Sequence, residues 1–339
     1  MIEPPRLHFA HLPTSVEHLP RLSKCLDGPQ ILVKRDDQTG LAMGGNKTRK
    51  LEFLVAEAQA KGARTLITAG AAQSNHCRQT AAAAAHFGLS CILVLARGQV
   101  ASKLPKAGES QMVDKMKYPQ EMSGNLLLDH LLGAEIVWAA PGQREILLQE
   151  TFQKAAEAGR QPYLIPYGGS NPTGASAYVF ALQEFLNQNI PVDWIVFPSS
   201  SGGTQSGMVV GARLFGFNGR ILGISVDEPA DVLRSRVAEL ASQTAAYLGE
   251  TQVFSPKDIL VNDDYLGGGY GVMAKPERDA IRLFARHEGL ILDPVYTGRA
   301  AAGMIALIHK GFFNKKESVL FWHTGGTPAL FAGRYQDIV

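Results

Sequence analysis

Short apolar runs alternate with amphipathic stretches along most of the chain, and this alternation restricts the possible fold more than any other feature. The apolar runs occupy residues 31–36, 65–70, 91–96, 134–139, 162–166, 194–199, 221–226 and 318–324. Helical patterns fall between them, at residues 47–61, after Ser74, and at residues 124–132, 174–188 and 204–215. Because strands that are separated by helices pair in parallel and are covered on both faces, the pattern predicts an α/β protein with open, mostly parallel twisted sheets.

Length and charge exclude several classes of protein. A chain of 339 residues is long enough for two domains. Lys and Arg number 33 and Asp and Glu number 31, so the net charge of +2 gives no reason to expect binding to nucleic acid or to a membrane surface. The three scattered cysteines favour a reducing compartment, and the start MIEPPRLHF lacks the pattern of a signal peptide. We therefore expect a cytoplasmic protein.

One long irregular stretch, residues 97 to 123, interrupts the alternation. Loops of this length within an α/β protein are commonly functional, and surface insertions are equally common. The sequence leaves both interpretations open.

The stretch GGNKTRKLEF, residues 44 to 53, opens a predicted helix with three cations, Lys47, Arg49 and Lys50. Cations are disfavoured there because the amino end of a helix is positively polarised. A lysine held near other cations and away from water has a lowered pKa, which produces the nucleophilic amine that forms Schiff bases. Lys47 is the candidate for this role. The alternative is that the cations extend into solvent, which we expect for Arg49 and Lys50.

A second glycine-rich segment, SSSGGTQSGMVVG at residues 199 to 211, follows a predicted strand and opens a helix. Small residues let backbone N–H groups turn inward, and a helix start adds positive polarity, so the segment is typical of a phosphate site. Neither a Walker A lysine nor a Gly-x-Gly-x-x-Gly fingerprint is present. A plain glycine turn is the alternative. A Schiff-base lysine together with a phosphate site predicts pyridoxal 5′-phosphate as the cofactor.

Further polar side chains lie at predicted loop positions beside glycines or helix starts. Ser74 and Asn75 stand where a strand passes into a helix, and besides capping it they could hold a carboxylate or a phenolate. Tyr270 lies within GGGYG and Tyr296 within DPVYTG, where simple packing is the alternative role. The segment HTGGTPALF follows the last strand at the sheet edge where ligands bind in parallel sheets.

Metal ligation is not expected. His76 and His86 have no partners at metal-ligand spacing, so neither is predicted to bind a metal ion.

Six segments of the chain resemble, in order, the fold-type II pyridoxal-phosphate enzymes, which share the fold of the tryptophan synthase β subunit. The segments are VKRDD-TGL, GGNKTRKLEFL, QSNHCRQTAA, SSSGGTQSGMVVG, LDPVYTG and HTGGTPALF. The subfamily that they resemble contains the D-cysteine desulfhydrases and the 1-aminocyclopropane-1-carboxylate (ACC) deaminases. The resemblance runs from about residue 13 to residue 332. It implies a small domain at residues 48–165, a large cofactor-binding domain at residues 1–47 and 166–339, and a homodimer acting in amino-acid metabolism.

The resemblance also implies roles for individual residues. Lys47 would hold the cofactor covalently, and Asn75 would donate a hydrogen bond to the ring hydroxyl oxygen. Ser74 would contact the substrate carboxylate or transfer a proton, while Tyr270 and Tyr296 would face the substrate. The phosphate would be held by Ser201, Gly202, Gly203, Thr204 and Gln205.

Two threonines bear on the question of which substrate the protein accepts. ACC deaminases, which this chain resembles, carry Glu where this chain has Thr297 and Leu where it has Thr324. A Glu facing the pyridine nitrogen keeps it protonated and strengthens the electron sink that opening a cyclopropane needs. A Thr leaves the nitrogen neutral, which suffices when a thiol departs. Between the two, we expect Thr324 to meet the nitrogen.

The resemblance therefore implies a carbon–sulfur lyase, D-cysteine desulfhydrase, and the preference for the D isomer comes from the resemblance alone. ACC deaminase and a cysteate sulfo-lyase are the alternatives within the subfamily. A non-catalytic phosphate-binding module and a nicotinamide-dependent oxidoreductase are the alternatives from other classes. The pairing of Lys47 with Ser74 and Asn75 argues against the first, and the missing dinucleotide fingerprint argues against the second.

Overall fold

The computed structural model describes residues 1–96 and 122–338. Ten strands are found there: β1 Val16–His18, β2 Gln30–Lys34, β3 Thr65–Ala71, β4 Ser90–Ala96, β5 Glu135–Ala139, β6 Pro162–Leu164, β7 Trp194–Ser199, β8 Arg220–Ser225, β9 Leu260–Asn262 and β10 Ser318–Trp322. The helices of these residues are α1 Pro20–Leu26, α2 Asn46–Ala60, α3 Asn75–His86, α4 Gly124–Leu131, α5 Arg144–Glu157, α6 Pro172–Asn187, α7 Gly203–Phe215, α8 Ala230–Tyr247, α9 Lys275–Glu288 and α10 Thr297–His309. Of the predicted insertion, only residues 122 and 123 belong to the described part.

Two sheets organise the chain, and both are mostly parallel as predicted. The first has the strand order β1-β2-β10-β7-β8-β9, in which only β1 runs antiparallel to its neighbour. The second has the order β5-β4-β3-β6, with every pair parallel. All four strands of the second sheet lie within residues 48–165. We keep the division into a small domain at 48–165 and a large remainder as a proposal.

Both faces of the six-stranded sheet are buried, which explains its continuous apolar strands. Leu32 of β2 and Leu320 of β10 belong to the hydrophobic cluster on one face. Their neighbours Val33 and Phe321 belong to the cluster on the other. Side chains of a strand alternate between faces, so a strand covered on both sides needs apolar residues throughout.

Several elements lie where the sequence pattern predicts none. These are β1, β9, α1, α5, α8, α9 and α10. Helix α8 shows the reason. Half of its eight buried residues are alanines, namely Ala230, Ala238, Ala241 and Ala245. An alanine stripe is only weakly apolar, so the helical period is hard to see against the polar residues between.

A buried carboxylate, Asp36, joins four parts of the chain just after β2. It is fully buried and accepts five hydrogen bonds. Arg49 of α2 donates two of them at 2.8 and 3.0 Å, Tyr178 of α6 donates one at 2.6 Å, and Trp322 of β10 donates one at 2.7 Å. The fifth donor is the Thr14 hydroxyl at 3.0 Å. Asp36 therefore fixes the start of α2 against the six-stranded sheet.

The expectation that Arg49 extends into solvent is wrong. Arg49 is 2% exposed, and it also donates to both carboxylate oxygens of Glu184, at 2.8 and 2.9 Å. Burial opposes the ionisation of Asp36, but the charges of Arg49 and Lys34 outweigh it and lower the pKa of the Asp36 carboxyl. The positive end of the helix dipole disfavours the charge of Arg49. The carboxylates of Asp36 and Glu184 compensate that charge.

No helix of the described ranges combines the length and the apolar character that crossing a membrane requires.

We expect Asp36→Asn to lower the free energy of unfolding by about 3 kcal/mol, because it leaves the buried Arg49 without its principal counter-charge. Asp27→Asn is the matched control, since Asp27 is 89% exposed in its ion pair with Lys315, and we expect it to cost less than about 1 kcal/mol. Urea unfolding followed by circular dichroism measures both. Equal midpoints for the two variants would contradict a structural role for Asp36.

Candidate active site

Loops that follow β3, β7 and β10 converge on one cavity between the two sheets. Its volume is about 610 Å³ when the space open to solvent is counted. The residues that line it are Asn46, Lys47, Ser74, Asn75, His76, Tyr167, Gly168, Pro198, Ser199, Ser200, Ser201, Gly202, Thr204, Tyr296, Thr324 and Gly325. The carboxyl ends of parallel strands are where such sheets bind ligands.

A tight glycine turn sets the position of Lys47 at the start of α2. Gly45 has φ +125°, in the region that favours glycine, and its N–H donates to the Thr39 hydroxyl at 2.8 Å. The next N–H, that of Asn46, donates to the carbonyl oxygen of Thr324 at 2.9 Å. A Cβ atom on Gly325 would lie 2.6 Å from the Gly45 Cα atom. The two loops therefore approach more closely than side chains would allow.

Lys47 is half-buried at the cavity wall. Its Nζ atom donates to the Asn46 Oδ1 atom at 3.2 Å, and no ion pair with a described residue holds it. Burial lowers the pKa of Lys47 from 10.5 to about 8. Near neutral pH the uncharged fraction of the amine is therefore far larger than for an ordinary lysine, although the ammonium form is still the more abundant, and this favours a role as nucleophile or base.

The expectation that Lys50 extends into solvent is also wrong. Lys50 is 1% exposed, and its Nζ atom donates to the carbonyl oxygen of Gly168 at 3.1 Å, its one acceptor among the described residues. Burial, together with the charge of Lys47, lowers the pKa of Lys50 well below its usual range. A cation so placed is stabilised only by an anion.

The first turn of α7 lies next to Lys50. Gly202 has φ +88°, and the Gly203 N–H donates to the Ser170 hydroxyl at 3.2 Å. The hydroxyls of Ser170 and Ser201 lie 2.8 Å apart. A Cβ atom on Gly203 would come within 2.6 Å of Ser170 Oγ and 2.9 Å of Lys50 Nζ. Glycine at this position therefore keeps open a hollow lined by hydroxyls, by helix N–H groups and by the amino group of Lys50.

The side chain of Gln205 points away from this hollow. Its Oε1 atom accepts from the Ser199 hydroxyl at 2.8 Å, and its Nε2 atom donates to the carbonyl oxygen of Leu260 at 2.8 Å. Only its backbone N–H, in the first turn of α7, is free for a ligand in the hollow. The Thr204 hydroxyl lines the cavity and accepts from the Asn46 side chain at 3.1 Å.

Ser74 and Asn75, at the start of α3, also line the cavity. The Ser74 hydroxyl oxygen accepts from the Cys77 N–H at 3.2 Å as a helix cap, so its proton is free to be donated. The Asn75 Oδ1 atom accepts from Arg78 at 3.0 Å, whereas its Nδ2 group donates to no described residue. Both side chains thus present donors to the cavity.

The two threonines differ in their surroundings. The Thr297 hydroxyl donates to the Asp293 Oδ1 atom at 2.7 Å and accepts from the Asp293 N–H at 2.8 Å, and Thr297 does not line the cavity. Thr324 does line it. Thr324 is therefore the better candidate for contact with a ring in the cavity, and Thr297 stabilises the loop that carries Tyr296.

Tyr270 and Tyr296 form a hydrogen-bonded pair with their hydroxyl oxygens 2.5 Å apart. Tyr296 lines the cavity, and Tyr270 lines a larger adjoining cleft of about 1780 Å³, again counting open space. Burial raises the pKa of both phenols well above the usual range. Both hydroxyls therefore stay protonated near neutral pH.

The sequence analysis missed Lys50, Ser170, His76 and Tyr167. The stretch GGSNPTG, residues 168 to 174, is a glycine-serine turn before a helix and could have pointed to Ser170. His76 is 5% exposed, and its Nδ1 atom has no partner among the described residues. The Nε2 atom of His76 lies 2.9 Å from the Thr68 hydroxyl on β3. Residue spacing does not indicate this contact, because it forms only when α3 packs against β3.

Comparison with known proteins identifies the family. The family model of the pyridoxal-phosphate dependent enzymes matches residues 7–325 of the chain. The chain belongs to this family. It is also similar to a solved structure described as an ACC deaminase homologue, with a TM-score of 0.86 and 34% sequence identity over 99% of this chain and 97% of that one.

A more distant structure shares the fold. The chain is similar to a fungal L-serine ammonia-lyase from Rhizomucor miehei, with a TM-score of 0.65 and 15% identity over 97% of this chain and 98% of that one. The α/β architecture is thus that of fold-type II pyridoxal-phosphate enzymes.

The residues present fit pyridoxal 5′-phosphate. The hollow at α7 offers N–H and hydroxyl donors beside the buried Lys50 ammonium, which suits a phosphate dianion. Lys47, with its lowered pKa, lines the cavity that Ser201 and Thr204, beside this hollow, also line. Asn75 presents an amide N–H group that suits a phenolate oxygen.

We expect the rate at which Lys47 captures pyridoxal 5′-phosphate to rise with pH through a midpoint near pH 8 and to reach its plateau at higher pH. The amine must be uncharged to react, and its lowered pKa sets the midpoint. Stopped-flow absorbance over pH 6–10 measures this rate. A midpoint near 10.5 would show that Lys47 is not desolvated, and Lys47→Arg should abolish covalent capture.

Lys50→Met should weaken the binding of pyridoxal 5′-phosphate by at least about tenfold, because a charge-assisted hydrogen bond to the phosphate is lost. Pyridoxal, which lacks the phosphate, should bind the variant and the parent within about threefold. Lys61→Met, an exposed change at the other end of α2, is the control. An equal loss for both ligands would contradict contact between Lys50 and the phosphate.

Proposed function

We propose that the protein catalyses β-elimination from D-cysteine, which with one water gives pyruvate, ammonia and hydrogen sulfide. The observation that carries this proposal is the absence of Asp and Glu from the described residues that line the cofactor cavity. Thr324 lines it instead. A hydroxyl does not force the pyridine nitrogen to stay protonated, and elimination of a thiol does not require the strongest electron sink.

Lys47 is the proposed base. When bound, pyridoxal 5′-phosphate supplies the electron sink that makes the substrate Cα proton acidic. With a pKa lowered to about 8, the Lys47 amine accepts that proton near neutral pH. No carboxylate of the described cavity wall competes for the proton.

Ser74 and the tyrosine pair supply the remaining groups. The free Ser74 proton lies at the start of α3, where the helix dipole also favours the substrate carboxylate. Tyr296 stays protonated and can donate to the departing sulfur. Tyr270, 2.5 Å away in the adjoining cleft, can replace that proton.

Elimination of sulfite from cysteate is the second candidate, and one observation favours it. Arg144 lines the adjoining cleft with its guanidinium carbon 4.6 Å from the Tyr167 ring centroid. It forms no ion pair with another described residue, so its charge is available to a sulfonate. Deamination of ACC is disfavoured by the cavity wall without carboxylates.

A homodimer and the residue roles given above belong to the same proposal. Sedimentation velocity on the cofactor-loaded protein tests the dimer, for which a mass near twice 36.6 kDa is expected.

Product analysis on D-cysteine, L-cysteine, cysteate and ACC tests the proposed reaction. Pyruvate and sulfide from D-cysteine are expected, with activity lost in Lys47→Ala. Sulfite from cysteate, with kcat/KM reduced at least about tenfold in Arg144→Gln, would favour the second candidate. Release of 2-oxobutyrate from ACC would show that Thr324 does not prevent ring opening and would overturn the electron-sink argument.

A further inference from the structure

Asn125, in the first turn of α4, is fully buried behind the cofactor cavity and does not line it. Every polar atom of its side chain is hydrogen-bonded. Its Oδ1 atom accepts from Arg78 at 2.7 Å. Its Nδ2 group donates to the carbonyl oxygen of Gln73 at 2.9 Å and to the Oδ1 atom of Asn75 at 2.8 Å. Its backbone N–H also donates to the side chain of Gln73 at 2.8 Å.

These bonds determine which end of the Asn75 amide faces the cavity. The Asn75 Oδ1 atom receives two donors, Asn125 Nδ2 and Arg78 Nη1. An amide turned the other way would place its N–H group against both of them. The Nδ2 group of Asn75 is therefore left facing the loop after β10, where a Cβ atom on Gly326 would lie 2.8 Å away.

The orientation of Asn125 is determined in turn. The Arg78 guanidinium can only donate, so the atom of Asn125 that it meets must be the oxygen. Arg78 is itself held by the carbonyl oxygen of Gly44, at 2.9 Å from its Nη2 atom. A fixed donor in Arg78 thus sets Asn125, and the two together set Asn75.

We propose that Asn125 is a positioning residue that makes Asn75 a hydrogen-bond donor to the cofactor and thereby stabilises the ring oxygen as an anion. The inference rests on the proposed contact between Asn75 and that oxygen. If the amide were free to turn, its oxygen would face the ring oxygen for part of the time and would favour the protonated form. Asn125 therefore acts on the protonation of the cofactor without touching it.

The test uses the cofactor-loaded protein and the pH midpoint of the change in its visible absorption. Asn125→Asp replaces the Nδ2 donor with an acceptor and keeps the shape and the partner Arg78. Asn125→Leu removes the donor without adding charge. Both should raise the midpoint by about one to two pH units. Asn314→Asp makes the same charge change in an exposed turn and should leave the midpoint unchanged.

The Asn75→Ala variant distinguishes the proposed role of Asn125 from the proposed contact between Asn75 and the ring oxygen. An unchanged midpoint in Asn75→Ala would overturn both the contact with the ring oxygen and the role of Asn125. A raised midpoint in Asn75→Ala with no change in either Asn125 variant would overturn the role of Asn125 alone. A shift in Asn125→Asp without one in Asn125→Leu would assign the effect to charge and would also overturn it. If Asn125→Asp fails to fold, the Leu variant decides.

Discussion

The buried pair of Asp36 and Arg49 is the interaction on which the active-site geometry depends. It anchors the first turn of α2 to β10 and α6 through Trp322 and Tyr178. Lys47 lies two residues before Arg49, so the pair sets where the amine emerges. Buried ion pairs gain little net stability over apolar packing, but they permit few alternative arrangements. That property suits the proposed role of Lys47, because a shift of about 1 Å at a reacting group impairs catalysis.

The three cations at the start of α2 have three separate environments. Arg49 pairs with carboxylates, Lys47 faces the cavity and forms no ion pair with a described residue, and Lys50 lies beside the hollow at α7. The helix geometry separates Arg49 from Lys47, because residues two apart do not face each other, and leaves Lys47 and Lys50, three apart, as neighbours on one face. The same short segment thereby supplies a structural ion pair, an amine with a lowered pKa and the proposed phosphate contact. The unfavourable helix dipole is a small cost by comparison.

Among the described residues that line the cofactor cavity, Lys47 is the one that carries charge, and this gives the site its chemical character. Hydroxyls, amides and backbone N–H groups surround the space where the ring and the phosphate fit. The carboxylate of Asp293, which precedes Tyr296 in the chain, is engaged with Thr297. In the proposed reaction the protein therefore orients donors and moves protons through Lys47 and the tyrosine pair, while the electron withdrawal is left to the cofactor.

By itself the sequence determined the α/β class, the parallel sheets, the cofactor and the segment that carries Lys47. These follow from local patterns: apolar runs of strand length, helix periods, and glycines where a backbone must turn or approach a phosphate. The tertiary structure decided the rest. It buried Arg49 and Lys50, turned the Gln205 side chain away from the hollow, separated Thr324 from Thr297, and brought Ser170 and Asn125 to the site from distant segments. Such outcomes depend on partners that are far apart in the chain, and neither local propensity nor residue spacing contains information about which distant groups will meet.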